Sequence, residues 1–515
     1  MRSYDSGANK SSGRVEGIVS PVRGLNKESP LAGLSQQYAI TLDNWICQPD
    51  GIVTRQGAAN HATGFTQAPR TLMTYSAGAV AQMFAAASNG IFNVSAAGAI
   101  GASVATVTAG DGKSVNFATS AGQFLYFVNG TDKPQLYDGT TWVAVDGVSV
   151  PAITGITTTS ITDVETYRQR LYFLQQNFLG FWYLPADSVG GAAAAFRVGS
   201  LCRLGGRVVA HGTWSIDGGS GPDDHYVLAT SQGEVLIFRG SDPAVTANWN
   251  YIGTYYVGKP IGQKCLTKLG GDLLFLCENG LIPLSKLLQS TGLNYTQALT
   301  SVINPAIAVD AAAYGAVNGW KILVIPRYAL ILLNVPQSTA LSNQYVFSTR
   351  SRGWSTFSGW NAADFIEFEG KTYFTTGLVV ANAFTGTADF GANITAICDT
   401  SYARFNTRKQ LYPANMRALF AANGPVGYTL GIAQDFTNNY ALNEFPTVGS
   451  EVALWDTGLW DIALWGDSFG LRNEWVTVAA RGGIALSTRF QISSKYASVV
   501  LLNLDFNLLE QGLIF

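Results

Sequence analysis

The sequence predicts an all-β fold: a six- or seven-bladed β-propeller with an additional C-terminal β-sandwich or barrel domain and a short helical insertion. Three observations lead there. The composition is low in charge and rich in glycine and aromatics, an apolar hairpin recurs at near-even spacing, and that repeat is lost over the last part of the chain.

Of 515 residues, 47% are hydrophobic, only 13% are charged, and glycines (56) far outnumber prolines (17). A soluble globular chain usually carries about 25% charged residues. Disorder is excluded, because it requires high charge and few aromatics. A helix-rich enzyme is disfavoured, because surface helices carry many Lys and Glu. Short strands joined by tight turns account for the profile. So does a surface partly covered by other subunits, since interface cores are depleted of charge.

The net charge is −2 and the pI about 6.0. Gripping a phosphate backbone takes clustered Lys and Arg, and no window supplies them. Five scattered cysteines (Cys47, Cys202, Cys265, Cys277, Cys398) form no CxxC and read as buried thiols. Three dispersed histidines (His61, His211, His225) suggest no metal site. Neither metal nor cofactor is expected. No stretch has the ~18 apolar residues of a membrane span. The polar N-terminus lacks the apolar core of a secretory signal, so folding in a cytoplasm is expected.

The repeat is a β-branched and aromatic run, a turn, and a second apolar run. Examples are Gln82–Val94 around Gly90, Phe124–Gly130, Leu171–Tyr183 around Gly180, Tyr226–Phe238 around Gly233 and Leu273–Ile282 around Gly280. Lys321–Leu333 around Tyr328 and Thr372–Gly377 complete the series. Successive turn positions lie 40, 50, 53, 47, 48 and 49 residues apart. Asn-Gly and Gln-Gly turns tolerate the positive φ that hairpins require. Hairpins at this period match propeller blades, one four-stranded sheet per repeat. Each hairpin is expected to supply the inner strands of its blade, with Trp142 and Trp354 on outer strands packing between blades. The competing reading is unrelated hairpins in β-sandwiches; the even spacing favours the propeller.

Three regions are therefore expected: an extended N-terminal segment over 1–64, the propeller over 65–390, and a C-terminal β domain over 391–515. Residues 285–315, Ala- and Leu-rich, are expected to hold one or two helices between blades.

No P-loop, nucleophile elbow, HExxH or dinucleotide fingerprint is present. Asp217, Asp223 and Asp224 form a polar cluster that lacks any cation-loop spacing and reads as a solvated turn. No catalytic residue is expected. Trp455, Trp460 and Trp465, five residues apart, suit neither a helix face nor a strand face. They are candidates for an oligomer interface, where Trp is enriched, or for the C-terminal core.

The opening carries a recognisable pattern: Pro21-Val-Arg-Gly-Leu-Asn26, Ala39-Ile-Thr-Leu-Asp-Asn44 and Pro49-Asp-Gly-Ile-Val-Thr-Arg-Gln-Gly57. It resembles the start of tail nozzle and packaged-DNA-stabilisation proteins of short-tailed bacteriophages. The matching residues are Gly24, Asn26, Asp43, Asn44, Pro49, Gly51, Arg55 and Gly57. Arg168-Gln-Arg-Leu-Tyr-Phe173 with Phe181-Trp-Tyr183, and Gly353-Trp-Ser-Thr-Phe357 with Phe365–Phe374, are similar to the same group. The resemblance implies a homo-oligomeric ring, commonly a hexamer, in the virion tail, assembled in the host cytoplasm. Its partners would be the portal, the adaptor, other tail proteins and, transiently, genomic DNA in the channel. The alternative is a propeller that binds or cleaves glycans in a tail.

Overall fold

The computed structural model describes residues 13–217, 222–286, 298–405, 409–448, 470–478 and 481–513. The chain divides into two compact units. One comprises residues 59–345 and 360–383; the other comprises 1–58, 346–359 and 384–515.

The first unit is a β-propeller. Among the described residues it has seven blades, whose innermost strands are Thr71–Ala77, Lys113–Thr119, Ile161–Tyr167, Val208–Asp217, Leu266–Leu269, Lys321–Ile325 and Ala362–Phe368. Each contacts the next, and the seventh returns to the first, so the ring closes. Blades 2, 3 and 4 are antiparallel four-stranded sheets. In blade 7 the sheet continues from Val379–Ala383 to Ala58–Thr63, a strand that precedes blade 1 in sequence. Joining the first and last strands of the propeller segment in one sheet covers the edge of Val379–Ala383.

The core lies between blades rather than at the centre. Tyr167, Tyr172, Phe181, Tyr226, Phe238 and Trp249 form one buried cluster between blades 3 and 4. Trp142, on the outer strand of blade 2, meets Phe84 of blade 1 edge-on at 5.1 Å, as expected of an aromatic wedge between blades.

The recurring hairpins occupy a different place from the one expected. In six blades the turn joins the second and third strands, as at Gly233 between Pro222–Thr230 and Glu234–Gly240. Only around Tyr328 does it join the first and second, Lys321–Ile325 and Leu330–Pro336. The apolar runs are mainly second strands, covered on both faces by neighbouring blades, and Leu330–Pro336 is buried throughout. The innermost strands border a polar centre and are less buried, as in Lys113–Thr119. The helical insertion is present as Asn304–Tyr314, with Pro305 in its first turn, between blades 5 and 6.

The second unit is woven from three stretches of chain. One sheet runs Trp45–Gln48, Gly51–Thr54, Val499–Leu513, Lys409–Ala422 and Gly470–Arg472, with Gly13–Val19 also paired to Val499–Leu513. Another runs Trp354–Phe357, Ala39–Asp43, Ile394–Thr400, Leu486–Ser494, Val426–Gln434 and Ala441–Val448. The expectation of an extended segment over 1–64 is thus corrected. Gly13–Val19, Ala39–Asp43 and Gly51–Thr54 form strands that satisfy backbone groups of the C-terminal strands, which would otherwise end in open edges. Trp354 lies on the fourth strand in the hydrogen-bonded order Lys321–Ile325, Leu330–Pro336, Ser342–Ser348 and Trp354–Phe357, the outer-strand place expected for it.

Candidate functional site

Two polar constellations stand out, one in each unit. In the second unit the residues of the N-terminal pattern converge. Asn44, held at φ 60°, donates from Nδ2 to the Thr395 carbonyl (2.7 Å) and to Ser358 Oγ (3.0 Å). Its Oδ1 accepts from Arg55 Nε at 2.7 Å. Arg55 has a fully buried side chain. Its terminal nitrogens grip both oxygens of Asp389 at 2.9 and 2.6 Å, and also donate to the carbonyls of Gln56 and Ser358. All five guanidinium donors therefore have protein acceptors. Asp43 accepts from Thr356 Oγ1 and Ser358 Oγ at 2.8 and 2.5 Å. Burial pushes its carboxyl up, against the lowering effect of those hydroxyls and of Arg55.

The other pattern residues shape the backbone around this junction. Gly24 has φ +74°, and a Cβ there would lie 2.1 Å from the Trp354 carbonyl oxygen; at Gly57 it would lie 2.0 Å from that of Ala388. Asn26 Oδ1 caps a turn by accepting from the N–H groups of Glu28 and Ser29, both at 2.9 Å. Pro49 sits in the two-residue loop between Gln48 and Gly51, which face each other across a hairpin. A Cβ on Gly51 would meet the Leu501 carbonyl at 2.7 Å. Trp455, Trp460 and Trp465 lie outside the described residues.

The propeller centre holds a cluster that the sequence reading did not single out. Lys113 lies 2.9 Å from the Asp163 carboxylate. Lys264 and Lys321 both reach Asp364, at 3.1 and 2.8 Å, and Lys321 also donates to the Phe365 carbonyl. Asp364 further accepts from the Leu72 N–H at 3.0 Å. His211, fully buried, faces Tyr226 Oη with Nδ1 at 2.6 Å and Asp163 with Nε2 at 3.4 Å. Burial holds the Tyr226 phenol well above its usual range.

Burial alone would raise both aspartates. In Asp163 it is outweighed by Lys113 and His211, and in Asp364 by Lys264 and Lys321, so both sit below the usual carboxylate range. Burial lowers Lys113, but Asp163 and Glu165 more than compensate, leaving it raised. Lys321 remains lowered, by burial first and with Lys264 beside it. A carboxyl kept ionised in this way is unsuited to protonating a leaving group.

These lysines border a cavity of about 320 Å³, also lined by Thr71, Thr74, Asn116 and Thr267. A second cavity, of about 580 Å³, is lined by Gln175, Gln176, Asn177, Arg207, Lys259 and Gln263 among others. A signal for the cluster does exist in the sequence. Asp163, Lys264, Lys321 and Asp364 each stand nine residues before a buried second-strand residue: Tyr172, Leu273, Leu330 and Tyr373. Elsewhere, Asp224 is engaged by Ser215 Oγ at 2.6 Å and by Arg168 at 3.4 Å. No cluster of three or more metal-ligating side chains occurs among the described residues.

No protein-family model matches this chain, and no curated protein does. Solved structures do. The N-terminal part of BBS1, crystallised with ARL6DN, is 10% identical and covers 65% of this chain and 100% of its own, with a TM-score of 0.38. YCF48 bound to a D1 peptide is 11% identical, covers 70% of this chain and 99% of its own, and has a TM-score of 0.38. The β-propeller domain of Myceliophteria thermophila Cps50 (Swd1) is 10% identical, with 63% and 98% covered and a TM-score of 0.38. At these identities the likeness concerns fold alone.

Proposed function

We propose that this chain is a non-catalytic structural protein of a short-tailed bacteriophage tail, a nozzle or head–tail connector subunit. It would form a homo-oligomeric ring, a hexamer, that extends the DNA channel and helps retain and release the genome. One observation carries the reading. The separate passages behind the family resemblance, Asp43-Asn44, Arg55-x-Gly57 and Gly353–Phe357 with its neighbour Ser358, meet in one buried polar junction. They behave as a single structural module, and the module is spent on holding the fold.

The test is mass photometry and negative-stain imaging of the full chain, alone and mixed with portal and adaptor complexes. Rings are expected, either spontaneously or on the portal. A monomer under both conditions overturns the proposal.

Glycan binding is the second reading. It is favoured by the amide-rich cavity of about 580 Å³, since side-chain amides pair well with sugar hydroxyls. Cleavage is disfavoured, because a glycosidase acid must hold its proton near neutral pH, and Asp163 and Asp364 are pushed the other way. Saturable binding on a host-glycan array by a chain that forms no rings would favour this alternative.

A further inference from the structure

We propose that the cavity at the propeller centre is a binding site for a small tetrahedral oxyanion of the phosphate type. Its lining includes Lys113, Lys264 and Lys321 against one carboxylate, Asp364. An ammonium group has three N–H donors. Lys113 directs one to Asp163, Lys264 one to Asp364, and Lys321 one to Asp364 and one to the Phe365 carbonyl. Five of the nine N–H bonds thus have no protein acceptor among the described residues.

Burial sorts the charges by position. The Asp163 and Asp364 side chains are 2% and 1% exposed, whereas Lys113, Lys264 and Lys321 keep 22%, 23% and 20%. The carboxylates sit in the wall and the ammonium groups keep an open side. Lys264 and Lys321 are paired across neighbouring strands and share one counter-ion, so their charges repel. An anion between them would relieve that repulsion. Asp163 and Glu165 act on Lys113 from outside the lining, which leaves the Lys264–Lys321 side as the stronger anchor.

The lining also selects among anions. It contains no arginine, so the planar fork that suits a carboxylate is missing. Point-charge donors approaching from several strands suit an acceptor whose oxygens are spread tetrahedrally. Thr74 adds a hydroxyl to the lining, whereas those of Thr71 and Thr267 already donate to the carbonyls of Gly112 and Ile322. The site is independent of ring assembly.

The experiment is calorimetric and thermal-shift titration of the full chain with inorganic phosphate, at ionic strength held constant with chloride. Saturable stabilisation is expected, with sulfate competing. Lys264→Gln should weaken binding about tenfold, the worth of one hydrogen bond between charged groups. Lys371→Gln, at an exposed lysine on blade 7, should leave it unchanged. Ser114→Asp adds a carboxylate to the lining and gives a second variant, with the same loss expected. Phosphate that stabilises no more than chloride, or a folded Lys264→Gln chain that binds like wild type, overturns the proposal.

Discussion

Arg55 shows what a short motif is for. Its guanidinium is fully buried and completely hydrogen-bonded, so removing it takes the bidentate cation from the Asp389 carboxylate. Arg55→Met should destabilise the second unit by about 3–5 kcal/mol, the usual consequence of breaking a buried pair. Urea denaturation followed by tryptophan fluorescence would measure it; an unchanged midpoint would contradict the assigned role. The propeller's aspartates make a pH prediction. Asp364 has a folded-state value below its ordinary 3.8. Its contribution is therefore complete above that value and is lost as pH falls through the lower one. The melting temperature of Asp364→Asn should lie well below wild type at neutral pH. The gap should close on acidification below about pH 4. A gap independent of pH would mean that the carboxylate's charge does not matter. Asp43-Asn44 and Arg-x-Gly were visible as a pattern. Their convergence was not, because Ser358 and Asp389 lie more than 300 residues away in the chain.

At the scale of the element, each blade divides its labour between strands. Second strands are enclosed by neighbouring blades, while innermost strands border the polar centre. Phe173, on the second strand of blade 3, is fully buried, whereas Val115, on the innermost strand of blade 2, is only partly so. Phe173→Ala should therefore cost about 3–5 kcal/mol and Val115→Ala less than about 1.5 kcal/mol. Equal losses in chemical denaturation would refute the division. The hairpins were legible because turn chemistry and apolar runs are local signals. Their place in the blade was not. A second strand and a buried innermost strand look alike until neighbouring blades determine which faces are covered.

The whole molecule is two units that do not follow chain order. Strands Ala39–Asp43 and Gly51–Thr54 pair with Ile394–Thr400 and Val499–Leu513 inside one unit. A fragment of residues 384–515 produced alone should therefore fail to fold, showing poor amide dispersion by NMR and early aggregation. Edge strands lacking their partners are aggregation-prone. A well-dispersed spectrum from that fragment would show that the N-terminal strands are dispensable.

The sequence by itself determined the all-β class, the propeller repeat and the helical insertion. Composition, turn residues and hydrophobic period are local properties, and blades are local units. Tertiary structure alone decided three things. It made Ala58–Thr63 the outer strand of blade 7, and it recruited the first strands of the chain into sheets with the last. It also drew Lys113, Asp163, His211, Lys264, Lys321 and Asp364, spread over 252 residues, around one centre. The physical reason is common to all three. Ring closure and edge pairing join groups distant in sequence, and no local propensity encodes which distant partner will satisfy a backbone edge or a buried charge.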